Sequence, residues 1–108
     1  MSADTLLVLT TCGGPEDGKR LARLLVEERL AACVNAVSNV ISTYRWKDQI
    51  HQDQETLLVI KTTRACFEAV EQAIREHSSY ELPEVVAVAI EAGSAPYLSW
   101  LRESVTRS

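Results

Sequence analysis

The chain has 108 residues, 46% of them hydrophobic and 24% charged, with a formal net charge of −4. This balance describes one globular domain over residues 1–108, large enough for one core and too small for a separate substrate domain. An acidic surface argues against general nucleic-acid binding, and no apolar run approaches the ~20 residues that span a bilayer.

The opening MSADTLLVLTTC has neither the basic start nor the long apolar stretch of a signal peptide, so the expected compartment is the cytoplasm. Cys12, Cys33 and Cys66 stand at unrelated spacings and read as reduced thiols rather than a disulfide framework.

Residues 5–11 (TLLVLTT) are a β-rich apolar run and predict a buried strand. Gly13-Gly14-Pro15 ends it, and Pro15 suits the first position of a helix, with Glu16 and Asp17 in its positive first turn. Leu21, Leu24 and Leu25 recur at helical spacing to about Glu28 or Arg29, and Glu16 stands four residues before Arg20 as an ion-pair candidate. Residues 31–45 then turn to Val, Ile, Thr and Tyr. Val34, Ala36, Val40 and Tyr44 share one parity while Val37 and Ile41 break it, which predicts a bulge or a second face covered by another chain.

Residues 47–53 (KDQIHQD) are polar and read as a hairpin turn, with 54–62 (QETLLVIKT) as the returning strand. Thr63 is a candidate N-cap for a second helix, whose face is marked by Phe67, Val70, Ala73, Ile74 and His77. Residues 78–83 (SSYELP) read as a loop, 84–92 as a last strand buried on both faces, and Pro96 as the start of a short helix carrying Leu98, Leu101 and Val105. The order β-α-β-β-α-β with a terminal helix predicts an α+β ferredoxin-like fold: a four-stranded antiparallel sheet, both long helices on one face, and a long hairpin formed by the second and third strands. The apolar far end of that hairpin suggests packing against neighbouring subunits.

Few residues carry chemistry. Cys12 precedes the Gly-Gly turn alone, without the second thiol of a soft two-thiolate site, and reads as a packing residue. His51 reads as a solvated turn residue. His77 is followed within seven residues by Tyr80, Glu81 and Glu84, a mix of imidazole, phenol and carboxylates suited to a borderline divalent ion. Tyr44 and Trp46 at a strand tip suit an interface or a stacking platform. Glu55 and Lys61, charged on an otherwise apolar strand, need a partner, water or a binding pocket. No Ser-His-Asp, Cys-His-Asn or paired-carboxylate pattern is visible, so an enzyme is the last of the readings.

The segments LVEERLAACVN, YRWKDQI, ETLLVIKTT, YELPEVVAVAI and YLSWL, in this order from about Leu6 to Leu101, resemble the CutA divalent-cation tolerance family. The resemblance implies a cytoplasmic ferredoxin-like homotrimer without enzymatic activity, associated with tolerance of copper and other divalent ions. It also implies architectural kinship with trimeric nitrogen-signalling regulators. Cys33 matches the cysteine of the family's LAAC segment, Trp46 the aromatic after the long strand, Lys61 the lysine of its IKT segment, and Tyr80, Pro83 and Glu84 its tyrosine-x-x-proline-glutamate stretch. Ser78 holds the place where the family commonly has histidine, and His77 is one residue further back.

Two site readings follow. In the first, copper or another divalent metal ion is bound through Cys33, His77 and Glu84. In the second, a small organic ligand sits between subunits near Trp46, Glu55, Lys61 and Tyr80, in a signalling or scaffold protein. In both, the cleft is expected where the 78–84 loop of one subunit approaches a hairpin strand of another.

Overall fold

The computed structural model describes residues 4–105; residues 1–3 and 106–108 of the expected 1–108 unit lie outside the described residues. The elements are β1 (Thr5–Cys12), α1 (Pro15–Glu27), β2 (Cys33–Trp46), β3 (Gln49–Thr63), a single 3-10 turn (Arg64–Cys66), α2 (Phe67–His77), β4 (Val86–Ala89) and α3 (Ala95–Ser104). They form one four-stranded sheet in the order β2-β3-β1-β4, antiparallel throughout. This is the ferredoxin-like α+β fold that the element order predicts.

Strand alternation decides what the sheet buries. Leu6, Val8, Thr10 and Cys12 of β1 pair in register with Thr62, Ile60, Leu58 and Thr56 of β3, and all eight are buried. Leu21 and Leu25 of α1 and Val70, Ala73 and Ile74 of α2 close one core with Val8, Leu58 and Ile60, so both long helices cover the same face. Gly18 lets α1 seat closely on β3: a Cβ there would lie 3.1 Å from the Thr56 methyl. The Thr62 hydroxyl donates to the Leu30 carbonyl at 2.6 Å and pins the junction between α1 and β2.

The opposite face carries Leu7, Leu9, Leu57 and Val59, half-buried, and Val37, Val86 and Val88, each about half exposed. Lys61 shares it, its Nζ 5.8 Å from the centre of the Tyr97 ring of α3. The parity break in β2 is a bulge. Val37 pairs with Leu57 but Val40 pairs with Glu55, so Ser38 and Asn39 oppose Thr56 alone. Asn39 takes the left-handed conformation (φ 65°) that asparagine tolerates better than most residues. Val37, Val40 and Tyr44 thereby share a face although their spacing is irregular.

Several expectations need correction. The hairpin turn is only Lys47-Asp48, both at positive φ (52° and 64°), the two-residue geometry that matches the right-handed twist of its strands. Residues 49–53 extend β3, because strand pairing satisfies their backbone while the hairpin tip leaves polar side chains in water. His51 is therefore a strand residue, stacked on Tyr44 at 5.4 Å.

Thr63 has the extended backbone of a cap but makes no side-chain cap bond, since the 3-10 turn intervenes before α2. Arg20 pairs with Asp17, and Glu16 with Lys19 at 3.8 Å, in place of the Glu16–Arg20 pair. His77 is exposed at the end of α2; only Val70, Ala73 and Ile74 of its stripe are buried. The last strand is Val86–Ala89, not 84–92, and its side chains are exposed, because it is an edge strand paired with β1 alone.

Candidate functional site

Two depressions flank the 78–85 loop. The larger, about 530 Å³, opens between the loop and the distal half of the hairpin. The β2 bulge and the β3 register put Ser42, Tyr44 and Trp46 on the face shared by Glu55, and Thr11, one residue before the end of β1, lies beside them. The loop supplies the opposing wall with Tyr80, Glu81, Leu82 and Glu84. Its anchor is the Tyr80 hydroxyl, which donates to Glu55 Oε2 at 2.5 Å. The Tyr80 amide donates to Ser78 Oγ at 3.0 Å, shaping the turn that delivers the ring. The loop thus meets the hairpin of its own chain.

Burial, and then the hydrogen bond and charge of Glu55, push the Tyr80 phenol far above the ordinary tyrosine range, so it remains a donor. The Tyr44 phenol is also raised, first by its 2.5 Å bond to Asp53. Glu55 finds its partner in a tyrosine, and Lys61 lies against an aromatic ring rather than a carboxylate.

The smaller depression, about 260 Å³, lies between the start of α1 and the end of α2 and is lined in part by Cys12, Asp17, His77 and Tyr80. His77 Nδ1 lies 3.0 Å from the Ala73 carbonyl; the neutral ring donates there and leaves Nε2 as its acceptor nitrogen. The Cys12 thiol is pushed up by burial and by the nearby charges of Asp17 and Glu55, which keeps it protonated and suits a packing residue.

Of the residues singled out in the sequence, Trp46, Glu55, Tyr80 and Glu84 meet in the larger cleft. Lys61 and Cys33 are cross-strand partners further along the sheet. Six residues separate Lys61 from Glu55 on β3, about 20 Å at the rise of an extended strand. His77 belongs to the second depression. Among the described residues of one chain, no three His, Cys, Asp or Glu side chains come together in a way that could hold a metal ion. Thr11, Ser42 and Thr43 also line the cleft and were not singled out; the phase slip in β2 was the signal that could have put Ser42 on the face of Glu55.

The fold and site define a small ferredoxin-like domain with a long hairpin, an uncovered sheet face and a cleft lined by acidic and aromatic residues. Residues 6–104 match the model of the family described as CutA1 divalent ion tolerance protein. The divalent-cation tolerance protein CutA of Thermus thermophilus is 44% identical over 98 residues, covering 91% of this chain and 95% of that protein. Human protein CutA is 43% identical over 98 residues, and there the chain spans only 54% of the relative's length. The crystal structure of CutA1 from Oryza sativa superposes with a TM-score of 0.94 at 37% identity, covering 99% of this chain and 98% of that one. The chain belongs to the CutA1 divalent ion tolerance family. Among the described residues, no helix is long and apolar enough to cross a membrane.

Proposed function

We propose that this protein is a cytoplasmic, non-catalytic homotrimer that responds to divalent cations, copper among them. The observation that carries the assembly is the open sheet face: Val86 and Val88 on one edge strand are 49% and 50% exposed and Val37 on the other edge strand 46%, on the side that α1 and α2 do not cover. An edge strand and an apolar face left open together favour association with further copies of the chain. The names of the relatives support divalent-cation tolerance as the role, and three free thiols suit a reducing compartment.

Cys33, His77 and Glu84 are the candidate ligands of a soft or borderline ion, with His77 Nε2 oriented for such a role by the Nδ1 contact. One chain does not gather them, so the ion would be held between subunits. Light scattering should give three times the mass of a single chain, and Val88→Lys should lower it. A monomer at micromolar concentration refutes the assembly. Calorimetry with Cu(II) and Zn(II) should show binding that His77→Ala and Cys33→Ser each weaken without dissociating the trimer. Unchanged copper binding in both variants refutes this ligand set.

A second reading is favoured by the 530 Å³ cleft, whose size suits a small organic molecule better than a lone ion. Here the protein is a trimeric signalling or scaffold protein that binds such a ligand near Trp46, Glu55 and Tyr80. Lys61 of the same chain lies too far along β3 to join this cleft and would have to come from a neighbouring subunit.

A further inference from the structure

We infer that the cleft between the hairpin and the 78–85 loop binds an organic ammonium ion. This rests on the cleft being an organic-ligand site and adds the charge and chemical class of the ligand. Three features of its wall point the same way. Among the described residues of one chain, the ionisable groups lining it are carboxylates and tyrosines: Glu55, Glu81 and Glu84 bring negative charge, against the single Lys47 ammonium beside the Trp46 ring. An anionic ligand such as a nucleotide or a carboxylate would be repelled.

The carboxylates are spread around a space of about 530 Å³ rather than brought together. A metal ion needs oxygen or nitrogen donors packed within about 2–2.6 Å. A bulky cation with diffuse charge needs only a negative enclosure.

The third feature is aromatic. Tyr44, Trp46 and Tyr80 line the cleft, and Leu82 adds apolar surface that a hydrated metal ion would not use. Ring faces attract alkylated ammonium groups because the π cloud is negative and the alkyl groups are apolar. The protein shows this affinity itself: Lys47 Nζ lies 5.7 Å from the centre of the Trp46 ring. A ligand ammonium would take the place of that lysine. The Tyr80–Glu55 bond holds one wall ready, with the Glu55 carboxylate fixed through Oε2.

The test is calorimetry on the full chain, using choline and its neutral isostere 3,3-dimethylbutanol alongside a nucleotide and a dicarboxylate. Choline should bind saturably, and the isostere at least about tenfold more weakly, the difference a desolvated cation–π contact supplies. Trp46→Leu and Glu55→Gln should each weaken choline by about tenfold. Lys47→Asn keeps a residue that tolerates positive φ, uncovers the Trp46 ring and should tighten choline binding. Equal binding of choline and its isostere overturns the inference, as does choline binding that Trp46→Leu leaves unchanged. Binding of only neutral or anionic compounds, lost in Trp46→Leu, overturns the charge class and keeps the cleft as an organic-ligand site. Absence of saturable binding by every compound overturns both.

Discussion

The bond between Tyr80 and Glu55 makes the cleft, and removing it has a calculable cost. Tyr80→Phe deletes one hydroxyl that donates at 2.5 Å to a carboxylate and leaves the ring in place. A hydrogen bond to a charged acceptor contributes about 1.5–3 kcal/mol when buried; both partners here are half-buried, and Glu55 regains water when the hydroxyl goes, so the expected loss is about 1–2 kcal/mol. Glu55→Gln keeps the shape and an acceptor oxygen but removes the charge. In a double-mutant cycle the two changes should couple by about 1 kcal/mol. The assay is urea unfolding at one fixed protein concentration, since self-association would contribute to apparent stability.

The pH dependence provides a second readout. Because the folded phenol is raised above its unfolded value, its contribution is complete below about pH 10, where an unfolded tyrosine ionises, and is lost as pH rises beyond that point. The gap between parent and Tyr80→Phe should therefore narrow above about pH 10. Additive single variants, or a gap that does not change with pH, would refute the account of the loop anchor.

Two further predictions concern the frame around the site. Arg102 of α3 clasps Asp4, its Nε donating to Oδ2 at 3.0 Å, and this bond is the main reason the carboxyl sits below its ordinary value of 3.8. The pair is exposed, so Asp4→Asn should cost no more than about 1 kcal/mol. With a depressed folded value, that difference is present above about pH 4 and disappears as pH falls through the folded value, which thermal unfolding across the acid range will show. At the bulge, Asn39→Val places a β-branched residue at φ 65° and should cost about 1–2 kcal/mol, whereas Asn39→Gly should lose only the 3.0 Å bond from Gln54 Nε2. Equal thermal stability of the valine variant and the parent would mean that the left-handed residue of the bulge lies elsewhere.

Periodicity and punctuation in the sequence determined the order of the elements. The Leu21, Leu24 and Leu25 spacing, the Gly13-Gly14-Pro15 break and the apolar run of β1 are local signals, and local signals suffice for a helix, a turn or a buried strand. The phase slip in β2 was legible too, because a bulge leaves its mark on alternation. Trp46, Glu55, Tyr80 and Glu84 could be named as chemically unusual for their surroundings.

Tertiary structure decided the rest. Polar residues 49–53 look like a turn until β2 pairs with them, and residues 84–92 look fully buried until the strand proves to be an edge. The site divides for the same reason. Cys33, Lys61 and Glu55 are all hairpin residues, but the β2–β3 register sets the first two side by side and Glu55 about 20 Å away. Only the path of the 78–85 loop across the sheet end brings Tyr80, 25 residues further along the chain, onto Glu55. A sequence states which side chains seek partners; register and loop path, set by the packing of the whole domain, decide which ones they find.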